Sequence, residues 1–182
     1  MTVMARWRSS DGGGLEHLRL EPASFGHAVT SVVIGSVDGA AFALRWRLAL
    51  DPAWRTRRLD VEVVGSDRRL ALLGDGEGHW TNADHRPLPA LAGAIDVDLL
   101  ATPFTNTLPI RRLQLPVGGT AEVVVAYVTV PSLELSPETQ RYTRRADRLW
   151  LFEALGGDFR REIEVDGNGL VVRYPGLFER VA

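Results

Sequence analysis

The chain has 182 residues, 45% hydrophobic and 24% charged, a length suited to one domain with a core that holds without staples. Cysteine is absent, which excludes disulfides, thiolate nucleophiles, cysteine-held zinc and iron–sulfur clusters. A net charge of −2 excludes a basic surface built for nucleic acid, and all 21 cationic side chains are arginine forks rather than lysine point charges.

The opening residues, Met1 to Arg8, hold no apolar run long enough for a signal peptide, and no later stretch reaches the length of a membrane span. The expectation is a cytoplasmic protein without an integral membrane segment. Residues 30–37 are followed by the turn pair Asp38-Gly39 and then by the clearest pattern in the chain. From residue 40 to 51, Ala40, Phe42, Leu44, Trp46, Leu48 and Leu50 fall on one face of a strand, and Arg45, Arg47 and Asp51 fall on the other. Leu59, Val61 and Val63 alternate with Asp60 and Glu62 in the same way. Gly65-Ser66-Asp67 and the glycine-rich residues 74–78 read as turns; the latter lack the Gly-Lys-Ser/Thr ending of a phosphate loop.

Residues 86–119 break the rhythm. Five prolines interrupt them, yet Val97, Leu99, Leu100, Phe104, Leu108, Ile110 and Leu113 are too apolar for a solvated loop. A crossing segment with a short helix is expected here. Residues 122–130 are apolar on both sides, as in a central strand covered on two faces, and Pro131 ends them. Phe159, Arg161, Ile163 and Val165 share one face; Leu170, Val172 and Tyr174 are expected to share another. Gly156-Gly157 and residues 166–169 close two more hairpins. Such short links require antiparallel neighbours. The pattern predicts a mainly β single domain over residues 1–182, with about ten strands in a sandwich or barrel.

The crossing segment also holds the candidate chemistry. On an extended backbone Asp96 and Asp98 point to one face, about 6.5–7 Å apart. They could act across a glycosidic bond, cap the following turn, or pair with Arg111 or Arg112. Arg111 and Arg112 are adjacent and diverge, so at most one faces a ligand, where its fork suits phosphate or a sugar carboxylate. Thr105, Asn106 and Thr107 could recognise sugar hydroxyls or simply stabilise irregular backbone. Trp46, Tyr127, Tyr142 and Phe152 lie on strands and either line a cavity or fill a core. His79 and His85, with Asp75, Glu77 and Asp84 nearby, match no zinc spacing. No metal or cofactor is expected.

The unbroken run from Asp96 to Leu113, DVDLLATPFTNTLPIRRL, resembles the signature block of the bacterial putative glycolipid-binding family. Ala126-Tyr127-Val128-Thr129-Val130-Pro131 and Gln140-Arg141-Tyr142-Thr143 are similar to its middle strands. Gly169-Leu170-Val171-Val172-Arg173-Tyr174-Pro175 and Leu177-Phe178-Glu179-Arg180-Val181 are similar to its C-terminal part. Gly93 is followed by Ala94 where many relatives carry cysteine, so a thiol role is excluded. The resemblance implies an incomplete, open β-barrel, similar in fold to the bacterial lipoprotein-localisation carriers, that wraps an apolar cavity under helical or loop cover. It implies binding or carriage of a glycolipid or other lipid without catalysis.

The ligand-facing candidates are then Trp46, Asp96, Asp98, Phe104, Thr105, Asn106, Arg111, Arg112, Tyr127 and Tyr142. Two other readings stand beside this one. An enzyme would use Asp96 and Asp98 as acid and base on a glycolipid; an interaction module would have a solid core and no small ligand. An unpaired sheet edge would also let a second copy dock as a homodimer.

Overall fold

The computed structural model describes residues 1–181. Seven strands run in order as a meander: β1 (Val3–Ser9), β2 (Leu15–Ala23), β3 (Gly26–Val37), β4 (Ala40–Leu50), β5 (Thr56–Val63), β6 (Arg69–Gly74) and β7 (Trp80–Asn82). After the crossing segment, which contains β8 (Asp96–Leu99), a second meander follows. It comprises β9 (Thr120–Val128), β10 (Leu135–Ala146), β11 (Leu149–Ala154), β12 (Arg160–Val165), β13 (Val171–Tyr174) and β14 (Phe178–Val181). β14 pairs with β1, which joins both meanders into one 14-stranded sheet with β7 at one edge and β8 at the other. β5 and β8 come into contact without pairing, so the sheet curls toward closure but stays an open barrel.

Fourteen strands replace the expected ten in part because β7, β8 and β14 are only three or four residues long. So few residues carry little periodicity. The antiparallel rule has one exception, β8 beside β9, which run parallel. The chain between them is long enough for the crossover a parallel pair needs.

That crossover is the expected short helix. Two 3-10 turns, Pro89–Leu91 and Phe104–Asn106, flank β8, and α1 (Thr107–Leu113) follows the second. Pro109 fits α1 because it sits in the first turn, where its missing N–H has no partner to lose. Gln114 ends the helix in a left-handed conformation, with φ of 47°. Among the described residues no helix is long and apolar enough to cross a membrane.

The alternating face of β4 goes inside as its pattern requires: Leu44, Trp46, Leu48 and Leu50 are buried. They pack with Trp7, Leu18, Leu59, Leu99, Phe104 and Leu108 in a core inside the first meander. A second core lies inside the other meander and holds Ile110, Val125, Tyr142, Trp150, Phe152, Ile163 and Tyr174. β9 separates the two. Ala126 and Val128 face the first core, Val123 and Val125 the second, which is why residues 122–130 are apolar on both sides.

One expected face is wrong. Leu170, Val172 and Tyr174 do not line up, because Val172 is exposed while Val171 and Tyr174 are buried. The pairing of β12 with β13 shifts between Glu164 and Val165, so the simple alternation breaks.

Candidate ligand cavity

The second core is not completely filled. A cavity of about 290 Å³ opens between its strands and the crossing segment. Its lining combines the polar side chains of Asp98, Asn106, Tyr127 and Glu138 with the apolar ones of Leu100, Phe152, Phe159, Tyr174, Leu177 and Phe178.

The polar lining is built from β8, β9, β10 and the turn before α1. Asp96 and Asp98 do share a face, as period-two spacing requires, but they meet different partners. Asp96 is fully buried, and the Nη2 of Arg112, reaching back from α1, donates to its Oδ2 at 2.7 Å. Nε of the same guanidinium lies 3.2 Å from both carboxylate oxygens. Asp98, two residues on, stays partly exposed to the cavity. Its Oδ1 accepts from the Thr105 hydroxyl at 2.8 Å. Its Oδ2 accepts from the Nε2 of Gln140 at 2.7 Å, and the same amide nitrogen donates to Glu138 Oε2 at 2.9 Å.

Gln140 is thus a bridge between two carboxylates, and its own carbonyl is held from behind. The Tyr142 hydroxyl lies 3.2 Å from Gln140 Oε1 and 3.0 Å from Asn106 Oδ1, its single proton serving one acceptor at a time. Asn106 Nδ2 donates to the Pro103 carbonyl at 3.2 Å, which fixes the amide orientation. Removing the hydroxyl in Tyr142→Phe leaves buried acceptors with one donor fewer. It should cost about 1–2 kcal/mol of stability, measured by urea unfolding. A loss below 0.3 kcal/mol, on the order of measurement error, would show that the network does not depend on it.

Burial sets the electrostatics. Desolvation raises the Asp98 carboxyl above its ordinary value; Gln140 and Thr105 pull it back, and the Glu138 charge pushes it up again. Burial, followed by the Asp98 and Glu138 charges, pushes the Tyr127 hydroxyl up to about 12. Tyr142 and Tyr174 are raised for the same leading reason. All three phenols therefore remain neutral donors at physiological pH, close to the two acids. The aromatic lining is a cluster of rings in edge-to-face contact. Phe152 lies 5.9 Å from Phe159 and 6.2 Å from Tyr174.

Of the residues singled out from the sequence, Asp98, Asn106 and Tyr127 line the cavity, and Thr105 and Tyr142 support them from behind. Asp96 and Arg112 form a buried ion pair next to the site. Arg111 diverges from Arg112, as adjacency requires, and its guanidinium stacks 4.8 Å over Trp54. Trp46 and Phe104 lie in the first core, their ring centroids 6.0 Å apart. Glu138, Gln140, Phe159 and Tyr174 were not among the candidates. Glu138, Gln140 and Tyr142 occupy alternate positions of β10, and polar residues on the same strand face as Tyr142 are the signal that would have found them. His79 meets an acid of its own turn: its Nδ1 lies 2.7 Å from Asp75 Oδ2.

Residues 4–180 match the family described as putative glycolipid-binding, a name that points to glycolipid binding. No curated protein matches the sequence. The fold is similar to the crystal structure of a DUF1089 family protein from Pseudomonas aeruginosa, with 40% identity over 96% of this chain and 95% of that one, and a TM-score of 0.86. Sequence and fold agree: this chain belongs to the putative glycolipid-binding family.

Proposed function

We propose that the protein binds an amphipathic ligand of glycolipid type in the cavity of the second meander, and that it holds this ligand without transforming it. The observation that carries the reading is one cavity lined both by acidic, hydrogen-bonding side chains and by aromatic rings. Sugar hydroxyls would donate to Asp98 and Glu138 and accept from Tyr127, while the ring face and the first carbons of the chain would lie on Phe152, Phe159 and Tyr174. An acid–base pair of Asp96 with Asp98 finds no support, because Asp96 is committed to Arg112.

Size shapes the reading. Small-molecule sites occupy roughly 300–1,000 Å³, so this cavity suits a headgroup and the start of a chain, not a whole lipid. Leu100 and Phe178 also border a smaller neighbouring recess of about 80 Å³, lined by Leu15, Ile34, Val37 and Phe42. Leu15 and Ile34 are exposed apolar residues beside it. The remainder of the chain would leave past Leu100 and Phe178 along this apolar surface.

Titration with octyl glucoside below its micelle concentration, followed by calorimetry, tests the reading. Eight methylene-sized groups provide at most about 6 kcal/mol, and association costs reduce this to binding in the micromolar-to-millimolar range. Ala154 borders the cavity, so Ala154→Phe should fill it and weaken binding roughly tenfold or more, a loss of about 1.4 kcal/mol. No saturable binding, or equal binding by a folded Ala154→Phe variant, would refute the proposal.

A further inference from the structure

We infer that the headgroup preferred by this cavity is a cation, a protonated or quaternary amine, seated between the carboxylates of Asp98 and Glu138 and the rings of Phe159 and Tyr174. This rests on the reading of the cavity as an amphiphile site and narrows it to a chemical class.

The case begins with the contrast between two neighbouring acids. Asp96 and Asp98 stand on the same face of β8, and the fold supplies Arg112 to the first. The second receives only neutral donors, the Thr105 hydroxyl and the Gln140 amide. Glu138 receives the other hydrogen of that amide. Among the described residues no arginine or histidine forms a salt bridge with Asp98 or Glu138. Two carboxyl groups therefore converge on one nitrogen, each within a hydrogen bond of it, and both face the same cavity with no cationic side chain paired to either.

Neutral hydroxyls would complete their hydrogen bonds but leave their charge in place. A cation would oppose it directly, and charge-assisted bonds are about twice as strong as neutral ones. The walls favour the same class. Ring faces attract cations, and Phe152, Phe159 and Tyr174 form a mutually contacting set beside the acids. This set already holds one: the guanidinium of Arg161, exposed to solvent, lies 5.1 Å over Phe159.

The remaining charged and titratable groups around the cavity do not reverse its sign. Tyr127 on β9, Tyr142 on β10 and Tyr174 on β13 are neutral, and Arg112 is cancelled by Asp96. Arg161 on β12 opposes a bound cation, but from an exposed position where water screens it.

Calorimetric titration at pH 7.5 with three probes of equal chain length tests the inference: octyl glucoside, octyl 6-amino-6-deoxyglucoside and octyltrimethylammonium. The two cations should bind roughly tenfold or more tightly than the neutral sugar. That preference should fall below about threefold in Asp98→Asn and in Glu138→Gln, each checked for folding by its thermal transition. Octyltrimethylammonium has no proton to lose, so its affinity should rise from pH 4.5 to 8 as the acids ionise. Equal affinity for all three probes would overturn the inference and leave the amphiphile site standing. A cation preference unchanged in both variants, or an affinity flat with pH, would also overturn it. Binding of none of the probes would remove the site itself.

Discussion

Replacing Arg112 with alanine should destabilise the protein by about 3–5 kcal/mol, the largest loss expected from any single polar side chain here. Asp96 is fully buried, and desolvation alone would hold its carboxyl far above the ordinary range. The three contacts from Arg112 pull it back toward the ordinary value, against a burial that still leaves it raised. Without the guanidinium, Asp96 must stay charged and unpaired or take up a proton, and both cost stability. The pair also ties α1 to β8, so its loss loosens the element that carries Asp98. Adding Asp96→Asn should recover part of the loss, because an amide tolerates burial without a counter-charge. Urea unfolding of the wild type, both single variants and the double variant measures the coupling. A loss under 1 kcal/mol in Arg112→Ala, about the value of a surface pair, would contradict this account.

The second large effect has the opposite sign. Glu16 on β2 is buried in the first core beside the crossing segment, and burial pushes its carboxyl up to about 7. The Ser31 hydroxyl donates to it at 2.6 Å and the Thr102 hydroxyl at 2.7 Å. The indole N–H of Trp46 favours the carboxylate through its field but reaches no partner within bonding geometry. These donors pull the value down without offsetting burial. The folded protein therefore holds a proton on Glu16 that the unfolded chain, with an ordinary value near 4.5, has already released. Stability is full below the unfolded value and falls as pH rises through the interval from 4.5 to about 7. The total fall is on the order of 3 kcal/mol at 1.36 kcal/mol per unit. Glu16→Gln resembles the protonated form. It should match the wild type near pH 4 and exceed it by about 3 kcal/mol at pH 8. Thermal unfolding across that range is the check. A variant less stable than wild type at pH 8 would mean that the carboxylate is worth more than its burial costs.

Much of this architecture can be read in the chain because one face of each long strand must be dry. The alternation in β4 placed Trp46 and its neighbours inside, and the two-sided apolar run of β9 marked the wall between the cores. The face shared by Asp96 and Asp98 followed from pleat alone, as did the divergence of Arg111 from Arg112. The failures have physical causes as well. A register shift at Val165 overrode the alternation expected through Tyr174. Trp46 and Phe104 look like cavity residues by type, and only packing shows that they fill a core together.

The site itself was half legible. Its acid, its turn and its first tyrosine lie in the signature run and the strand that follows. Its second acid, its bridging amide and two of its rings come from β10, β13 and the approach to β12, brought there by the curl of the sheet. Sequence spacing does not encode that curl, and it does not encode the unfilled volume the curl leaves. The larger recess opens into the half of the sheet around the second core, and the smaller one into the half around the first.

Whether that room takes an amphiphile is tested most directly by what the protein carries. Freshly purified wild type and Ala154→Phe, extracted with organic solvent and compared by mass spectrometry, should differ. A chain-bearing amphiphile should appear in the wild-type extract and be lost from a folded variant. Clean extracts from wild type made in several hosts, or the same compound in equal amount from both proteins, would contradict it.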